Sequence, residues 1–111
     1  MTKEQLRRYR SIKIETRQIE RRVYEMDQLA HINEDITFPL IQLYREKLQE
    51  LVAAQLKIEE IISCLNPTER ELMRLRYIDG KDWTEVAATI HYEWTQTHRI
   101  HARALSKIKN L

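Results

Sequence analysis

A basic segment near the carboxy-terminal end of the chain carries side chains suited to contact with nucleic acid. Residues 94–111 contain four basic side chains and no acidic one. Arginine and lysine bind phosphate oxygens, and Thr95, Gln96 and Arg99 are of types that hydrogen-bond base edges. If the segment is helical, these three residues lie near its start on one side. This chemistry indicates binding to double-stranded DNA.

Other residues that could carry chemistry give weaker signals. His98 and His101 could share a metal ion, but no nearby acidic residue completes a site. The chain has no serine-hydrolase or metalloprotease motif, and its single glycine excludes glycine-rich phosphate loops. Cys64 is the only cysteine, and its apolar helical surroundings predict a buried, unreactive thiol. We therefore expect no enzymatic activity, no metal and no cofactor.

The residues around the start of the basic segment follow the pattern of a helix-turn-helix. This motif crosses two helices closely, so it needs apolar or small residues at fixed positions. Those positions are occupied by Val86, Ala87, Ile90, Tyr92, Thr97 and Ile100. The turn falls at His91, which tolerates a positive φ better than most residues other than glycine. The sequence therefore predicts a turn between two helices near residue 91.

Capping signals divide residues 66–111 into three short helices. Asn66 and Glu69 form a capping box around Pro67, which suits the first helical position. Asp82 and Glu85 form a second box. Because Gly80 favours a left-handed conformation, the first of these helices ends just before it. The predicted helices span residues 67–78, 83–90 and 94–110.

These residues together resemble region 4 of bacterial sigma factors. The resemblance covers about residues 65–111, and the matching segments are Leu65-Asn66-Pro67, Glu69-Arg70, Leu75-Arg76-Tyr77, Gly80, Glu85-Val86-Ala87 and the run from Arg99 to Ile108. With a helical amino-terminal half before it, the chain is similar to small phage-encoded activators of late transcription of the ArpU and RinA type.

The resemblance implies that the last helix enters the major groove of DNA. By matching position, the residues facing bases or nearby phosphates would be Trp94, Thr95, Gln96, His98 and Arg99. The resemblance places Arg76, Trp83 and Lys107 at backbone-contacting positions, and Arg103 is a further basic residue suited to phosphate. Glu93, Trp94 and Thr95 depart from the residues common in sigma factors, so the −35 promoter sequence is not implied as the target.

Residues 1–65 predict two long helices with apolar residues in heptads. The first helix spans residues 3–30 and the second spans residues 39–65, with Thr37 as its N-cap. Thr16 and Gln55 are the polar exceptions in the two apolar seams. The apolar stripe of the second helix is wider than one partner helix covers, which predicts a homodimer.

Charge is distributed unevenly over the same half of the chain. Residues 1–22 carry eight basic and three acidic side chains, whereas residues 23–65 carry three basic and eight acidic ones. The opposite charges suit an antiparallel hairpin, and a basic arm that touches nucleic acid is the alternative. The pattern leaves open whether the two helices pair within one chain or between chains.

The predicted fold class is all-α, with a long helical hairpin or coiled coil followed by a three-helix, sigma-region-4-like helix-turn-helix. Residues 1–65 are the predicted dimerisation or docking region, and residues 66–111 are the predicted DNA-binding domain. No apolar run is long enough to span a membrane, so we expect a cytoplasmic protein.

The predicted function is that of a sequence-specific DNA-binding transcription regulator, encoded by a phage or prophage. Its expected partners are double-stranded DNA and a second copy of the chain, with RNA polymerase as a further candidate. The net charge of only +2 keeps a protein-interaction module, contacting RNA polymerase or another regulator, as an alternative. A DNA-packaging recognition subunit is another alternative, since such proteins also combine helix-turn-helix and coiled-coil parts.

Overall fold

The regular elements of the chain are all helical. The computed structural model describes residues 1–110, and within them no strand is present. The helices are α1 (Lys3–Arg7), α2 (Tyr9–Leu29), α3 (Glu34–Ser63), α4 (Pro67–Met73), α5 (Trp83–Ile90) and α6 (Trp94–Lys109). A π-helical turn, Arg74–Ile78, continues α4. The predicted all-α class is confirmed.

The chain divides into two compact units. The first, here the core unit, consists of Met1–Arg10 together with Lys57–Leu111, and the second, the hairpin unit, consists of Ser11–Leu56. This division differs from the predicted boundary after Leu65. The reason is that Leu6, Tyr9, Ile58 and Ile62 are buried in the same apolar cluster as the side chains of α4, α5 and α6.

The hairpin unit pairs the α2 and α3 segments of one chain in antiparallel orientation. Gln55 Nε2 donates a hydrogen bond of 2.6 Å to Thr16 Oγ1, and that hydroxyl donates to the Ile12 carbonyl at 2.7 Å. Near the other end of the hairpin, Arg45 forms an ion pair of 3.2 Å with Asp27. The two polar exceptions in the predicted heptads are therefore hydrogen-bonded to each other across the seam.

The helix α3 begins five residues earlier than predicted. Thr37 lies inside the first turns, where its N–H donates to the Asn33 carbonyl at 3.1 Å and its hydroxyl donates to the same oxygen at 2.6 Å. The prediction of Thr37 as N-cap is therefore wrong. Glu34 and Asp35 occupy the first turn, where negative charge favours a helix start, and Pro39 is accommodated inside the helix.

Capping in the core unit follows the sequence signals closely. Asn66 Oδ1 accepts the Glu69 N–H at 2.9 Å, and Glu69 Oε1 accepts the Asn66 N–H at 3.2 Å, so the predicted capping box is confirmed. Asp82 Oδ1 accepts the Glu85 N–H at 2.8 Å and starts α5. The predicted second box is only half formed, because the Glu85 carboxylate lies 3.7 Å from Lys81 Nζ and makes no bond to the Asp82 N–H. Gly80 follows the π-helical turn with φ 71°.

The first predicted helix is interrupted. A capping box of Thr2 and Gln5 starts the short α1, and Arg8 separates it from α2. Leu6 is fully buried and Tyr9 is almost so, which fixes this segment in the core unit. Tyr9 Oη also donates to Glu59 Oε1 at 3.0 Å.

We expect the Thr16–Gln55 hydrogen bond to be detectable in a double-mutant cycle. Thr16→Val leaves a half-buried amide without its acceptor and should lower the free energy of unfolding by about 1 kcal/mol. In the double variant Thr16→Val/Gln55→Leu that loss should largely disappear, because no polar group is left unsatisfied. Urea unfolding measures both values, and strictly additive losses would contradict the pairing.

Candidate nucleic-acid interface

The turn between α5 and α6 is formed by a residue in the left-handed conformation. His91 has φ 61° and ψ 40°, and its N–H donates to the Ala87 carbonyl, as does the N–H of Tyr92 at 3.2 Å. The Glu93 carbonyl then accepts the Thr97 N–H at 2.9 Å and the Thr97 hydroxyl at 2.8 Å, which starts α6. The predicted positive φ at His91 is confirmed.

Most of the predicted inward-facing residues of this pair of helices are buried. Val86 and Thr97 are fully buried, Ala87 and Ile100 are nearly so, and Ile90 is half-buried. Tyr92 is the exception, because it is 46% exposed. The prediction that Tyr92 packs inward is wrong, since its ring lines a surface groove together with Gln96 and Arg103.

The outward face of α6 carries polar and cationic side chains. Thr95, Gln96, Arg99 and Arg103 are all exposed, and α6 contains no acidic residue. Within residues 1–110, neither Arg99 nor Arg103 forms an ion pair with a carboxylate. This face therefore offers donors and positive charge to a polyanion at its surface.

Lys107 lies in the last turn of α6 and forms an ion pair with a carboxylate of the protein. Its Nζ lies 2.8 Å from Glu69 Oε1, and the Glu69 side chain is only 3% exposed. The same carboxylate oxygen also accepts the Asn66 N–H. Half of the Lys107 side chain remains exposed, so the ion pair holds one of the predicted phosphate-contacting cations in place and partly neutralises it.

Three predicted site residues form a continuous aromatic cluster. The His98 ring lies 4.7 Å from that of Trp94 and 4.6 Å from that of Trp83, measured between ring centroids. The Arg76 guanidinium lies 4.8 Å from the centroid of the Trp83 ring. Trp94 is 54% exposed at the start of α6. The structure thus brings Arg76 and Trp83 next to the first turns of α6.

His98 and His101 differ in their hydrogen bonding. His98 Nε2 is buried and has no partner among the described residues. His101 Nε2 lies 2.6 Å from Tyr77 Oη, and burial, followed by the nearby charges of Lys3, His98, Arg76 and Arg7, lowers the pKa of His101 to about 4. The imidazole is therefore neutral at pH 7, and it shares a buried hydrogen bond with the Tyr77 hydroxyl. His101 is buried, with 7% of its surface exposed.

The charge pattern of residues 1–22 suggested contact with nucleic acid only as an alternative, and it did not indicate which basic residues lie beside α6. Lys3, Arg7 and Arg10 line a cavity of about 260 Å³ together with Arg76 and Trp83. Their spacing of four and three residues is the signal that places them on one helical side. That signal does not reveal which part of the chain they face, because a tertiary contact decides it.

The remaining candidates for chemistry differ from the site on α6. Cys64 is exposed, so the predicted burial of its thiol is wrong, because Ile62 and Leu65 occupy the buried side of the chain there. Among residues 1–110, no three histidine, cysteine or acidic side chains cluster as metal ligands would. No helix in this range combines the length and apolar character needed to cross a bilayer.

Comparison of the chain with protein-family models, with curated proteins and with solved structures finds no match. The features that bear on function are therefore those of the chain itself. They are the exposed cationic face of α6, the aromatic cluster at its start and the basic cavity beside Arg76.

We expect the low pKa of His101 to make the fold sensitive to acid. The unfolded chain binds a proton at this residue near pH 6.5, whereas the folded chain binds it only near pH 4, so stability falls as pH falls through that window. The loss should reach about 2–3 kcal/mol at pH 4. Denaturant unfolding of the wild type and of His101→Gln at several pH values measures it, and equal pH dependence of both would contradict it.

Proposed function

We propose that this protein is a sequence-specific DNA-binding transcription regulator whose last helix contacts the major groove. The observation that carries the proposal is the exposed face of α6, which presents Thr95, Gln96, Arg99 and Arg103 without an acidic residue. The opposite face is held by the buried side chains of Thr97 and neighbouring residues. A rigid helix with one free cationic side suits insertion into a groove about 12 Å wide.

Within this proposal the residues of α6 have different roles according to their position along the helix. Thr95, Gln96 and Arg99 lie in the first turns and hydrogen-bond base edges, which supplies sequence specificity. Arg103 lies further along and contacts phosphate, which supplies affinity without specificity. Lys107 adds positive charge at the far end while bound to Glu69. His98 and Trp94 shape the surface at the start of the helix.

The resemblance of residues 65–111 to sigma region 4 supports the same proposal. It adds that the regulator is encoded by a phage or prophage. The proposal further takes the regulator to act in the cytoplasm without catalytic activity. RNA polymerase is a candidate partner on this view. The aromatic cluster of Trp83, His98 and Trp94 lies between the proposed base-contacting residues and Arg76, so a duplex seated on α6 would lie close to all of them.

A protein-interaction module is the second candidate, and one observation favours it. The hairpin unit exposes several large apolar side chains, namely Ile14, Tyr24, Leu29, Ile32, Ile36, Phe38, Leu43, Val52 and Leu56. Apolar side chains grouped on a surface mark contact sites for other proteins.

We propose that a second copy of the chain covers part of this surface, which would give a dimer and paired half-sites on DNA.

We expect Arg99→Ala to weaken binding to the selected DNA site by about 1–3 kcal/mol, with little effect on unrelated duplexes, because it removes a base contact. Arg103→Ala should weaken binding to all duplexes alike and reduce the slope of the salt dependence by about 1. Fluorescence anisotropy on fragments selected from the source genome measures both.

The matched control for these two variants is Arg17→Ala, which removes the same charge from an exposed residue of the hairpin unit. It should leave affinity nearly unchanged. If Arg99→Ala and Arg103→Ala bind every fragment as the wild type does, the proposal of DNA recognition by α6 is wrong.

We expect the wild type to sediment as a dimer at tens of micromolar concentration. The double variant Leu43→Lys/Leu56→Lys should sediment as a monomer, because it places charge on the exposed apolar surface of α3. Lys47→Ala, at an exposed polar position on the same helix, is the control and should stay dimeric. Monomeric wild type throughout this range would contradict the proposed dimer.

A further inference from the structure

Four cationic side chains converge on one cavity of the core unit. The cavity of about 260 Å³ is lined by Lys3, Arg7, Arg10 and Arg76, and no carboxylate is among the residues of 1–110 that line it. Arg7 has one carboxylate within reach, Glu4 at 3.6 Å, and that side chain is 84% exposed. Positive charge is thus concentrated at this cavity with little compensation from the protein.

The cavity is a built feature of the core unit. Leu6 and Tyr9 are buried on the inner side of the amino-terminal segment, which directs Lys3, Arg7 and Arg10 to the cavity. The Arg10 guanidinium lies directly over Gly80, where a Cβ atom would collide with Nη1 of that arginine. Gly80 has a positive φ of 71°, so both its backbone conformation and its lack of a side chain make room for this arginine.

A neighbouring buried group responds to the charge at this cavity. After burial, the nearby charges of Lys3, His98, Arg76 and Arg7 lower the pKa of His101. Three of these groups line the cavity. Their combined field disfavours an additional positive charge in this region and favours a negative one.

The position of the cavity relates it to α6. Trp83 lines the cavity, its ring contacts that of His98, and the His98 ring contacts that of Trp94 in the first turn of α6. Each of these two steps is shorter than 5 Å between ring centroids. The major groove is about 12 Å wide, so a helix lying in it has a row of phosphates on each side. The distance from such a helix to these phosphates is similar to the distance from α6 to the cavity.

We propose that this cavity binds a phosphate of the DNA backbone beside the groove that α6 occupies. Lys3, Arg7 and Arg10 then supply a second anchor, from the opposite end of the sequence to the helix that contacts bases. The inference rests on the proposed DNA-binding function and extends it, since it assigns a contact to residues 1–10. The Arg76 guanidinium, held on the Trp83 ring, completes the anion site.

The test compares two variants that lose the same total charge. Lys3→Ala/Arg7→Ala/Arg10→Ala removes three cations of the cavity, and Arg8→Ala/Arg17→Ala/Arg22→Ala removes three exposed cations that do not line it. We expect the cavity variant to bind a selected duplex roughly tenfold more weakly at 0.15 M salt, with a salt slope lower by about 1–2. The control variant should stay close to the wild type.

Neutral methylphosphonate substitutions in the duplex locate the contact. Replacing one phosphate next to the base-contact positions should weaken binding of the wild type but not of the cavity variant. Arg7→Lys/Arg10→Lys keeps the charges and should retain the wild-type salt slope. Circular dichroism melting of each variant checks that the fold is intact, because none of the replaced side chains is buried.

The outcomes separate this inference from the proposed function. If the cavity variant and the control lose equal affinity, or if neither does while Arg99→Ala still weakens binding to the selected site, the cavity is not a phosphate site and the regulator proposal stands. If the wild type binds no duplex at low salt, both the proposed function and the phosphate site are overturned. Loss confined to the cavity variant and to one phosphate supports the inference.

Discussion

The carboxylate of Glu69 connects the two helices on which the candidate interface depends. One of its oxygens accepts the Asn66 N–H at the start of α4 and lies 2.8 Å from Lys107 Nζ on α6. A carboxylate buried this deeply needs a cation and hydrogen-bond donors beside it, so replacing Lys107 by an uncharged residue would leave its negative charge uncompensated. The ion pair therefore helps to determine which side of α6 turns to α4 and, as a result, which side stays free.

The orientation of α6 about its own axis buries one side of the helix and leaves the charged side in solvent. Thr97, Ala104 and Ile108 are fully buried, and they follow one another at helical spacing. The residues between them, such as Arg99 and Arg103, must then face solvent. The cationic surface thus needs no special device beyond the packing of the core, and its rigidity comes from the same apolar contacts that stabilise the unit.

Short sequence patterns predicted the helices and most of their ends. They did not predict the contacts between residues that are far apart in the chain. The caps at Asn66 and Asp82 depend on residues three positions apart; the box at Asn66 forms in full, and at Asp82 only the bond from the Glu85 N–H forms. The break at Arg8 and the exposure of Tyr92 depend on what packs against each residue, which no short pattern specifies. The heptads predicted the seam, and the structure adds that its two polar members are hydrogen-bonded to each other.

For the candidate site, the outward residues of α6 follow from helical periodicity. The approach of Lys3, Arg7 and Arg10 to Arg76 requires the tertiary fold.

The burial of Leu6 and Tyr9 has a consequence for how the protein is made. Both side chains belong to a cluster whose next members in the chain begin at Ile58 and extend to Ile108. On a translating ribosome, the first ten residues would emerge long before the segments that enclose them. The hairpin lies between these parts of the chain. When its two helices pair, residues 10 and 57 come close together, and the entropy cost of joining the two parts of the apolar cluster falls. A nascent chain arrested after the hairpin would therefore hold its basic leading segment unpaired and open to proteolysis or to other polyanions.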